Sequence, residues 1–322
     1  MIAIQKSHIR PLDARRDLFA IADLIELCFA SQMDQDGWEY LKSIRRIAHE
    51  NSSTRWIISA GERIPYPMNG LVWEEDGKIV GNLTLIPYLK NFRWKYLIAN
   101  VAVHPDYRRR GIARQLTHQA ITQLQDMGAE SIWLQVRADY FPAYNLYRSL
   151  GFVDRAQRTT WLCESCPPAN HPPGETLKAG HRTRRDWKLQ EAWLKDNYPP
   201  HIAWYFPLNL ASFRPNLWAG LVSLIEGTPL VHWSVHQHGQ LYGTATWERT
   251  IHYADNLWLA ASPQWEDTAV PALLNHARLF IPTHRPLAIN YPAGRAVQAF
   301  EMCNFRVLNT LIWMEFDPIQ SR

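Results

Sequence analysis

Cysteine is scarce in this sequence, and long apolar runs are absent. Four cysteines in 322 residues are too few for the disulfide framework of a small secreted scaffold. No uninterrupted apolar run reaches the ~18 residues that a membrane-spanning helix needs. Residues 1–17 contain no apolar segment of the kind found in signal peptides. These absences lead us to expect a cytoplasmic protein with no membrane partner.

A large excess of charge of one sign is also missing. The 34 Lys and Arg residues are nearly balanced by 30 Asp and Glu residues, which gives a net charge of +4. So small an excess does not indicate a nucleic-acid-binding protein. The many tryptophans have mainly aliphatic neighbours, whereas base-stacking aromatics are interleaved with Lys and Arg. We expect no nucleic-acid partner, although the three consecutive arginines at 108–110 keep that alternative open.

The sequence has few candidate metal ligands that lie close together. Cys163 and Cys166 form one Cys-x-x-Cys pair, and the nearest histidines are His171 and His181. A zinc site needs about four ligands at compatible spacing, and no second Cys-x-x-Cys pair is present. We therefore expect no metal site.

The N-terminal half alternates strand-like and helix-like patterns. Asp76-Gly77 separates two segments of alternating apolar residues, which is the strongest short signal for a β-hairpin. Residues 95–103 and 131–137 predict strands, and 109–127 predicts an amphipathic helix, so a right-handed crossover should join two parallel strands. Further predicted elements are helices at 13–31, 37–50 and 142–150 and a closing hairpin near 152–163. The predicted class is α+β, a twisted, mostly antiparallel sheet with one parallel crossover and flanking helices.

A faint internal repeat links the two halves of the chain. Three segments recur in the same order: DGKIVG as HGQLYG, VHPDY as ASPQW, and LYRSLGF as AFEMCNF. Each match is weak alone, but their shared order indicates a duplicated fold. We predict tandem domains at 1–165 and 177–322, joined by a proline-rich linker at 166–176.

The two copies differ most at one loop. In this alignment Glu266 and Asp267 stand at the positions of Arg108 and Arg109, and Ala269 stands at that of Gly111. Acidic side chains repel an anion where arginines attract it. We expect only the N-terminal copy to bind an anionic ligand at this loop.

The arginine-rich loop joins a predicted strand end to a predicted helix start. The first N–H groups of a helix have no intrahelical partner, and the helix dipole is positive there. A glycine, here Gly111, lets a large anion approach the backbone closely. The pattern predicts a site for a diphosphate, and it lacks the glycine fingerprints of dinucleotide-binding and P-loop proteins.

The segment VAVHPDYRRRGIARQL resembles motif A of the GNAT superfamily of N-acetyltransferases, with Arg108, Gly111 and Ala113 at its three signature positions. LYRSLGF at 146–152 resembles the second motif of this family. The resemblance covers residues 1–165 well and the C-terminal half weakly. It implies two tandem GNAT-like domains, the first intact and the second degenerate. It also implies an enzyme that transfers an acetyl group from acetyl-CoA directly to a primary amine.

The resemblance also implies the residues of the site. The strand end would offer backbone groups to the pantetheine, and the loop would hold the pyrophosphate. The implied cofactor-binding residues are Val101, Ala102, Val103, Arg108, Arg109, Arg110, Gly111, Ile112, Ala113 and Arg114. Tyr147 stands where the family commonly has the acid that protonates the departing thiolate. A free tyrosine is protonated at neutral pH, although a tyrosine on a helix face is often a packing residue.

Several features stay open at this level. No glutamate lies in 95–103, and nothing selects among Glu74, Glu75 and His104, which lie nearby in sequence or on adjacent strands. The general base is therefore unassigned. The acceptor is an amine on a small molecule or a peptide, and the protein is a monomer or a homodimer. The alternative to an enzyme is a non-catalytic acetyl-CoA-binding regulator, which would keep the loop without needing Tyr147.

Overall fold

The computed structural model describes residues 8–49, 69–165, 177–206, 208–215, 230–282 and 284–319. The chain forms two compact units. Unit 1 comprises Met1–Val136, Tyr140–Arg155 and Trp313–Arg322, and unit 2 comprises Arg137–Asp139 and Ala156–Ile312. No helix within the described ranges is long and apolar enough to cross a membrane.

Strands and helices alternate along the described chain. The strands are β1 (Ile9–Pro11), β2 (Gly70–Glu75), β3 (Lys78–Lys90), β4 (Arg93–Val103), β5 (Ser131–Arg137), β6 (Phe152–Cys163), β7 (Lys178–His181), β8 (Leu230–Gln237), β9 (Gln240–Glu248), β10 (Asp255–Ala261), β11 (Leu287–Pro292) and β12 (Arg306–Phe316). The helices are α1 (Leu18–Phe29), α2 (Gln35–His49), α3 (Ile112–Asp126), α4 (Phe141–Arg148), α5 (Trp187–Asn197), α6 (Pro200–Ala203), α7 (Glu266–Arg278) and α8 (Val297–Met302).

In unit 1, strands β1 to β5 lie side by side in chain order. Neighbouring strands are antiparallel, except that β4 and β5 are parallel. The predicted hairpin turn is present, because Asp76 and Gly77 both have left-handed backbones, with φ of 50° and 76°. The predicted α+β class and the parallel crossover are confirmed. The predicted closing hairpin near 152–163 is wrong, since these residues form the single strand β6.

Helix α3 packs on the sheet of unit 1 through one apolar face. Ile112, Leu116, Ala120 and Leu124 recur at helical spacing and are buried. A Cβ atom on Gly81 would lie 2.8 Å from the Cγ2 atom of Ile112, so only glycine allows β3 to approach the helix this closely. This contact fixes the start of α3 beside the end of β4.

Unit 2 repeats the order of elements seen in unit 1. Strands β8, β9 and β10 are antiparallel neighbours, and β10 is parallel to β11. The chain order β7, α5, α6, β8–β10, α7, β11, α8, β12 matches the order β1, α1, α2, β2–β4, α3, β5, α4, β6. The matching turn residues His238 and Gly239 are also left-handed, with φ of 49° and 80°. The internal repeat therefore has a structural counterpart.

The structure shifts the alignment of the two repeated helices by one residue. Gly81 faces Ile112 and Leu116, whereas Gly243 lies 3.2 Å from the Cβ atom of Ala269 and 3.1 Å from Leu273 Cδ1, each distance measured from an added Cβ. Ala269 thus matches Ile112 rather than Gly111. By the same shift, Glu266 takes the place of Arg109. In the corrected alignment, Glu266 therefore matches a position one residue nearer to the start of α3 than the sequence alignment gave.

The compact units do not follow the predicted domain boundaries. Ala156 and the residues that follow it in β6 belong to unit 2, and Trp313–Arg322 belong to unit 1. The predicted linker at 166–176 lies outside the described residues. The boundaries of the two repeated copies, 1–165 and 177–322, stay a prediction.

Candidate functional site

Strands β4 and β5 are paired over only part of their length. Their parallel ladder ends at Ile98 and Leu134, whereas β4 continues to Val103. Within these two strands, which are fully described, residues 99–103 of β4 have no ladder partner on β5. The end of β4 is therefore an open strip of backbone, and it contains the predicted pantetheine-binding residues.

The open strip begins at a β-bulge. The β3–β4 ladder shifts register between Asn82 and Thr84, and Asn100 has a left-handed backbone with φ of 51°. The Nδ2 atom of Asn100 donates to the hydroxyl of Tyr40 at 2.9 Å. The bulge is thus connected to helix α2 by a side-chain hydrogen bond.

The last residue of β4 is held by two side chains. The carbonyl oxygen of Val103 accepts a hydrogen bond from Arg108 Nε at 3.2 Å and one from the Cys28 thiol at 3.3 Å. Val101 and Val103 are half-buried, and Ala102 is buried. Arg108 therefore ties the loop to the strand end, a role that the sequence did not predict.

The loop between β4 and α3 alternates its backbone conformation. Arg109 and Gly111 are left-handed, with φ of 63° and 78°, and Arg110 lies between them. Such alternation turns successive N–H groups to one side and forms an anion-binding concavity. A left-handed arginine costs about 1–2 kcal/mol, and strain of this kind is concentrated at functional sites. At Gly111 an added Cβ would lie 3.7 Å from Gln115 Nε2, so the positive φ, and not lack of space, requires glycine.

The four arginines of the loop region have different surroundings. Arg110 donates to the carbonyl oxygen of Asp106 at 3.2 Å and lies 3.6 Å from the Glu75 carboxylate. Arg114 donates to Ser149 Oγ at 2.7 Å. Arg109 is exposed and has no hydrogen-bond or ion-pair partner among the described residues. Of the predicted set, Arg109 is the arginine most available to an added anion.

The first turn of α3 contributes backbone rather than side chains. Ile112 is only 2% exposed and packs on Gly81, so it can reach a ligand only through its N–H group. Ala113 is half-buried. Gly111 at the N-cap has no side chain with which to cap the first turn. The N–H groups at this helix start therefore have no side-chain acceptor from their own cap.

Tyr147 lies on the buried face of α4. It is 7% exposed, and its ring meets Phe152 edge-on with centroids 6.0 Å apart. Burial raises the pKa of its hydroxyl above that of a free tyrosine. The hydroxyl is therefore protonated at neutral pH, as a proton donor must be, while the ring also contributes to packing.

Sequence reasoning missed Asn100 and Tyr40. Asn100 interrupts the apolar run of β4, and asparagine is both depleted in strands and tolerant of the left-handed conformation. That combination is a signal for a bulge. The contact of Asn100 with Tyr40, sixty residues away in sequence, had no signal in a single sequence.

A cavity of about 570 Å³ in unit 1 lies elsewhere, between α1 and the β2–β3 turn. None of the predicted cofactor-binding residues lines it, and neither does Tyr147. Its main charges bind each other, because Arg10 contacts both Asp17 and Glu74 at 2.6 Å. Its geometry gives no reason to place the predicted site there.

In unit 2 the matching strip is covered by side chains of the same unit. Strands β10 and β11 pair only at Asp255–Leu287 and Asn256–Ala288. Beyond that point, the carbonyl oxygen of Leu259 accepts from Asn197 Nδ2 at 3.0 Å. The carbonyl oxygen of Asn290 accepts from the Tyr198 hydroxyl at 2.6 Å.

The start of helix α7 carries its own anion. Glu266 is 6% exposed and accepts hydrogen bonds from the Tyr291 hydroxyl at 2.6 Å and from Arg295. Arg158, 2% exposed, donates to Asn290 Oδ1 at 2.6 Å. We call these side chains the internal network of unit 2: Arg158, Asn197, Tyr198, Glu266, Asn290, Tyr291 and Arg295. Within unit 2, the network occupies the positions that correspond to the open strip and the arginine loop of unit 1.

No group of three or more His, Cys, Asp or Glu side chains suited to a metal ion occurs among the described residues. Cys163 is disulfide-bonded, so its sulfur is not a thiolate ligand. Cys166 and His171 lie outside the described residues. The expectation of no metal stays a prediction.

Residues 29–152 match the family model of the acetyltransferase (GNAT) family. The chain is 42% identical over 62 residues to the [ribosomal protein bS18]-alanine N-acetyltransferase of Escherichia coli K12, a match that covers 19% of this chain and 42% of the relative. It is 34% identical over 95 residues to an N-alpha-acetyltransferase of Sulfurisphaera tokodaii, covering 26% of this chain and 55% of the relative. The chain thus spans about half the length of these curated relatives.

Solved structures with the same fold extend over nearly the whole chain. A GCN5-related N-acetyltransferase from Sphaerobacter thermophilus has a TM-score of 0.55 at 14% identity, and the match covers 95% of this chain and 94% of that one. A tandem GNAT protein from the clavulanic acid biosynthesis pathway has a TM-score of 0.50 at 15% identity, covering 95% and 97%. At these identities the similarity concerns the fold.

Proposed function

We propose that this chain, which contains a GNAT family acetyltransferase domain over residues 29–152, is an acetyl-CoA-dependent N-acetyltransferase with its active site in unit 1. The observation that carries the proposal is the open end of β4 leading into a loop with two left-handed residues, Arg109 and Gly111. Extended backbone followed by an anion-binding concavity suits a ligand with an amide-containing arm and a pyrophosphate.

The residues present fit acetyl-CoA in both charge and backbone availability. The backbone groups of Val101, Ala102 and Val103 would bind the pantetheine arm, and the N–H groups from Arg109 to Arg114 would bind the pyrophosphate. Arg109 would add a positive charge, since no described residue neutralises it. When bound, acetyl-CoA supplies an acetyl group activated as a thioester.

Tyr147 is the proposed proton donor of unit 1. Its burial keeps the hydroxyl protonated at neutral pH, and general acid catalysis contributes about 10² to 10⁴ in rate. The remaining contribution of the protein is to hold amine and acetyl donor together, which is worth several kcal/mol in well-oriented reactions. No described side chain is singled out as the base, and the base stays unassigned.

The proposed acceptor is a primary amine, with peptide N-termini as the first class to test. The E. coli relative is named for an alanine of a ribosomal protein and the S. tokodaii relative for an α-amino group. Both names point to acceptors that carry an α-amine on a peptide. Small amines form the second class.

Unit 2 is proposed to bind no CoA. Its internal network places a carboxylate at the start of α7 and side-chain donors on the carbonyl oxygens of Leu259 and Asn290. A pyrophosphate would have to displace Glu266 from Arg295, and a pantetheine arm would have to displace Asn197 and Tyr198.

Calorimetry of the intact chain with CoA, followed by thiol release from acetyl-CoA with a panel of peptides and amines, tests the proposal. We expect one CoA bound per chain and turnover with at least one class of amine. Binding of CoA without turnover by any amine would favour the regulator alternative. An intact chain that gives no heat with CoA would exclude both.

A further inference from the structure

The β-bulge at Asn100 is over-determined by contacts from two directions. The Asn100 side chain donates to Tyr40 on α2 at 2.9 Å and to Thr84 Oγ1 at 3.4 Å. Its backbone carbonyl oxygen accepts from Asn82 Nδ2 at 3.0 Å. Asn82 and Thr84 are fully buried, so the partners on β3 cannot move freely.

The bulge carries a cost that the fold alone does not explain. A left-handed non-glycine residue is strained, even though asparagine tolerates this conformation better than most residues. Asn82 Oδ1 is buried without a hydrogen-bond partner among the described residues, and an unsatisfied buried acceptor is destabilising. Such costs persist where the local geometry is required for function.

The position of the bulge indicates what that geometry serves. The β4–β5 ladder ends at Ile98, two residues before Asn100, and the open strip follows directly. A β-bulge inserts one extra residue and re-aims the backbone that follows it. The conformation of Asn100 thus decides which way the N–H and C=O groups of 101–103 face.

We propose that Asn100 is a positioning residue that, through its hydrogen bond to Tyr40, fixes the backbone groups of Val101–Val103 toward the pantetheine arm and so places the thioester that the arm carries. The proposal rests on the proposed function for the identity of the ligand. It assigns to Tyr40, on α2, the task of holding the bulge from outside the sheet. The tyrosine hydroxyl acts here as the acceptor of the Asn100 amide.

Two variants remove the hydrogen bond from either end. Asn100→Gly keeps the left-handed backbone accessible and removes the side chain, and Tyr40→Phe removes only the accepting hydroxyl. Asn91→Gly is the matched control. Asn91 also has a left-handed backbone, with φ of 52°, and lies in the exposed turn of the same β3–β4 hairpin, so the substitution is chemically the same.

Hydrogen exchange of the unliganded chain is the first readout. We expect deuterium uptake in the 97–104 segment to rise about tenfold in rate in Asn100→Gly and Tyr40→Phe, and to stay unchanged in Asn91→Gly. Because no ligand is involved, this readout tests the anchoring even where the proposed function fails. Unchanged exchange in both variants would overturn the proposal.

Ligand binding and turnover form the second readout. We expect CoA affinity to fall only a few-fold, since the arginine loop is untouched and only the pantetheine contacts are loosened, and kcat to fall by more, about 10- to 100-fold, as for misplacement of reacting groups. The kcat of the double variant should fall no further than that of the worse single variant, because both substitutions remove the same hydrogen bond. Losses that multiply, or a wild-type kcat in either single variant of an active enzyme, would refute the positioning role.

Discussion

The carboxylate of Glu266 accepts a hydrogen bond of 2.6 Å from the hydroxyl of Tyr291, and both side chains are buried. Arg295 binds the same carboxylate. Burial and the neighbouring carboxylate raise the pKa of the Tyr291 hydroxyl, which keeps it a donor. The carboxylate of Glu266 therefore supplies a negative charge at the positive end of the α7 dipole. In the corrected alignment, the matching position of unit 1 is Arg109.

Removing that carboxylate should destabilise the protein. In Glu266→Ala, Arg295 and Tyr291 lose their buried acceptor, and we expect the free energy of unfolding to fall by about 2 kcal/mol. Asp267→Ala is the matched control, because Asp267 is exposed and next in the helix, and it should change stability by less than about 0.5 kcal/mol. Urea denaturation of the two variants measures the difference. Equal losses in the free energy of unfolding for the two variants would show that the hydrogen bonds of Glu266 in the internal network do not stabilise the fold.

Gly111 offers a test of the proposed phosphate site with a well-matched control. In Gly111→Glu the added carboxylate would stand at the anion-binding loop, and we expect CoA affinity to fall at least about tenfold, or ~1.4 kcal/mol. Gly128 has φ of 73°, close to that of Gly111, with open space around an added Cβ, so Gly128→Glu imposes the same backbone strain at the far end of α3. Calorimetry with CoA compares the two. If both variants bind CoA as wild type does, the loop is not the phosphate site.

Local sequence patterns predicted much of the framework. Asp76-Gly77 marked a turn that the structure contains, and the 95–103 and 131–137 patterns gave parallel strands with the crossover helix between them. These signals are local, because turn chemistry and helical periodicity depend on neighbouring residues. Helix limits moved by a few residues, as expected where termini are set by tertiary contacts.

The parts that failed depend on residues distant in sequence. Ala269 was paired with Gly111 because sequence alone could not see that Gly243 packs on Ala269 and Leu273. The internal network of unit 2 joins side chains from β6, α5, α7 and β11. The loop charges indicated a loss of anion binding in the second copy, but only the fold brings those side chains together.

Tyr147→Phe separates the two interpretations of this residue. The substitution keeps the edge-on contact with Phe152 and removes only the hydroxyl, so we expect kcat to fall about 100-fold with CoA affinity unchanged. Tyr144→Phe is the control, since the Tyr144 hydroxyl donates to the Asp154 carboxylate at 3.0 Å on the exposed side, and it should keep wild-type kcat. A kcat equal to wild type in Tyr147→Phe would leave packing as its role.

The pH profile gives an independent check on Tyr147. Burial raises the pKa of this hydroxyl above the value of about 10 for a free tyrosine, so its loss of the proton lies at more alkaline pH. If Tyr147 is the donor, kcat at saturating substrates should show no decline due to this group up to about pH 10. A wild-type alkaline limb below pH 9 that disappears in Tyr147→Phe would contradict the raised pKa.

His232 should make the stability of the chain depend on mildly acidic pH. Burial, followed by the nearby charge of Arg182, lowers the pKa of His232 to about 3, and its ring is hydrogen-bonded to Thr246 Oγ1 at 2.8 Å. The unfolded chain takes up this proton near pH 6.5, so the contribution is fully present above pH 6.5. It is lost as pH falls from 6.5 toward 3, at about 1 kcal/mol per pH unit.

Urea denaturation at pH 7, 6 and 5 should show that the free energy of unfolding falls less steeply with pH for His232→Gln than for wild type. His238→Gln, at an exposed turn, removes a histidine without touching this pocket and serves as the control. Identical slopes for wild type and His232→Gln would mean that His232 takes up its proton at the same pH in the folded and the unfolded chain.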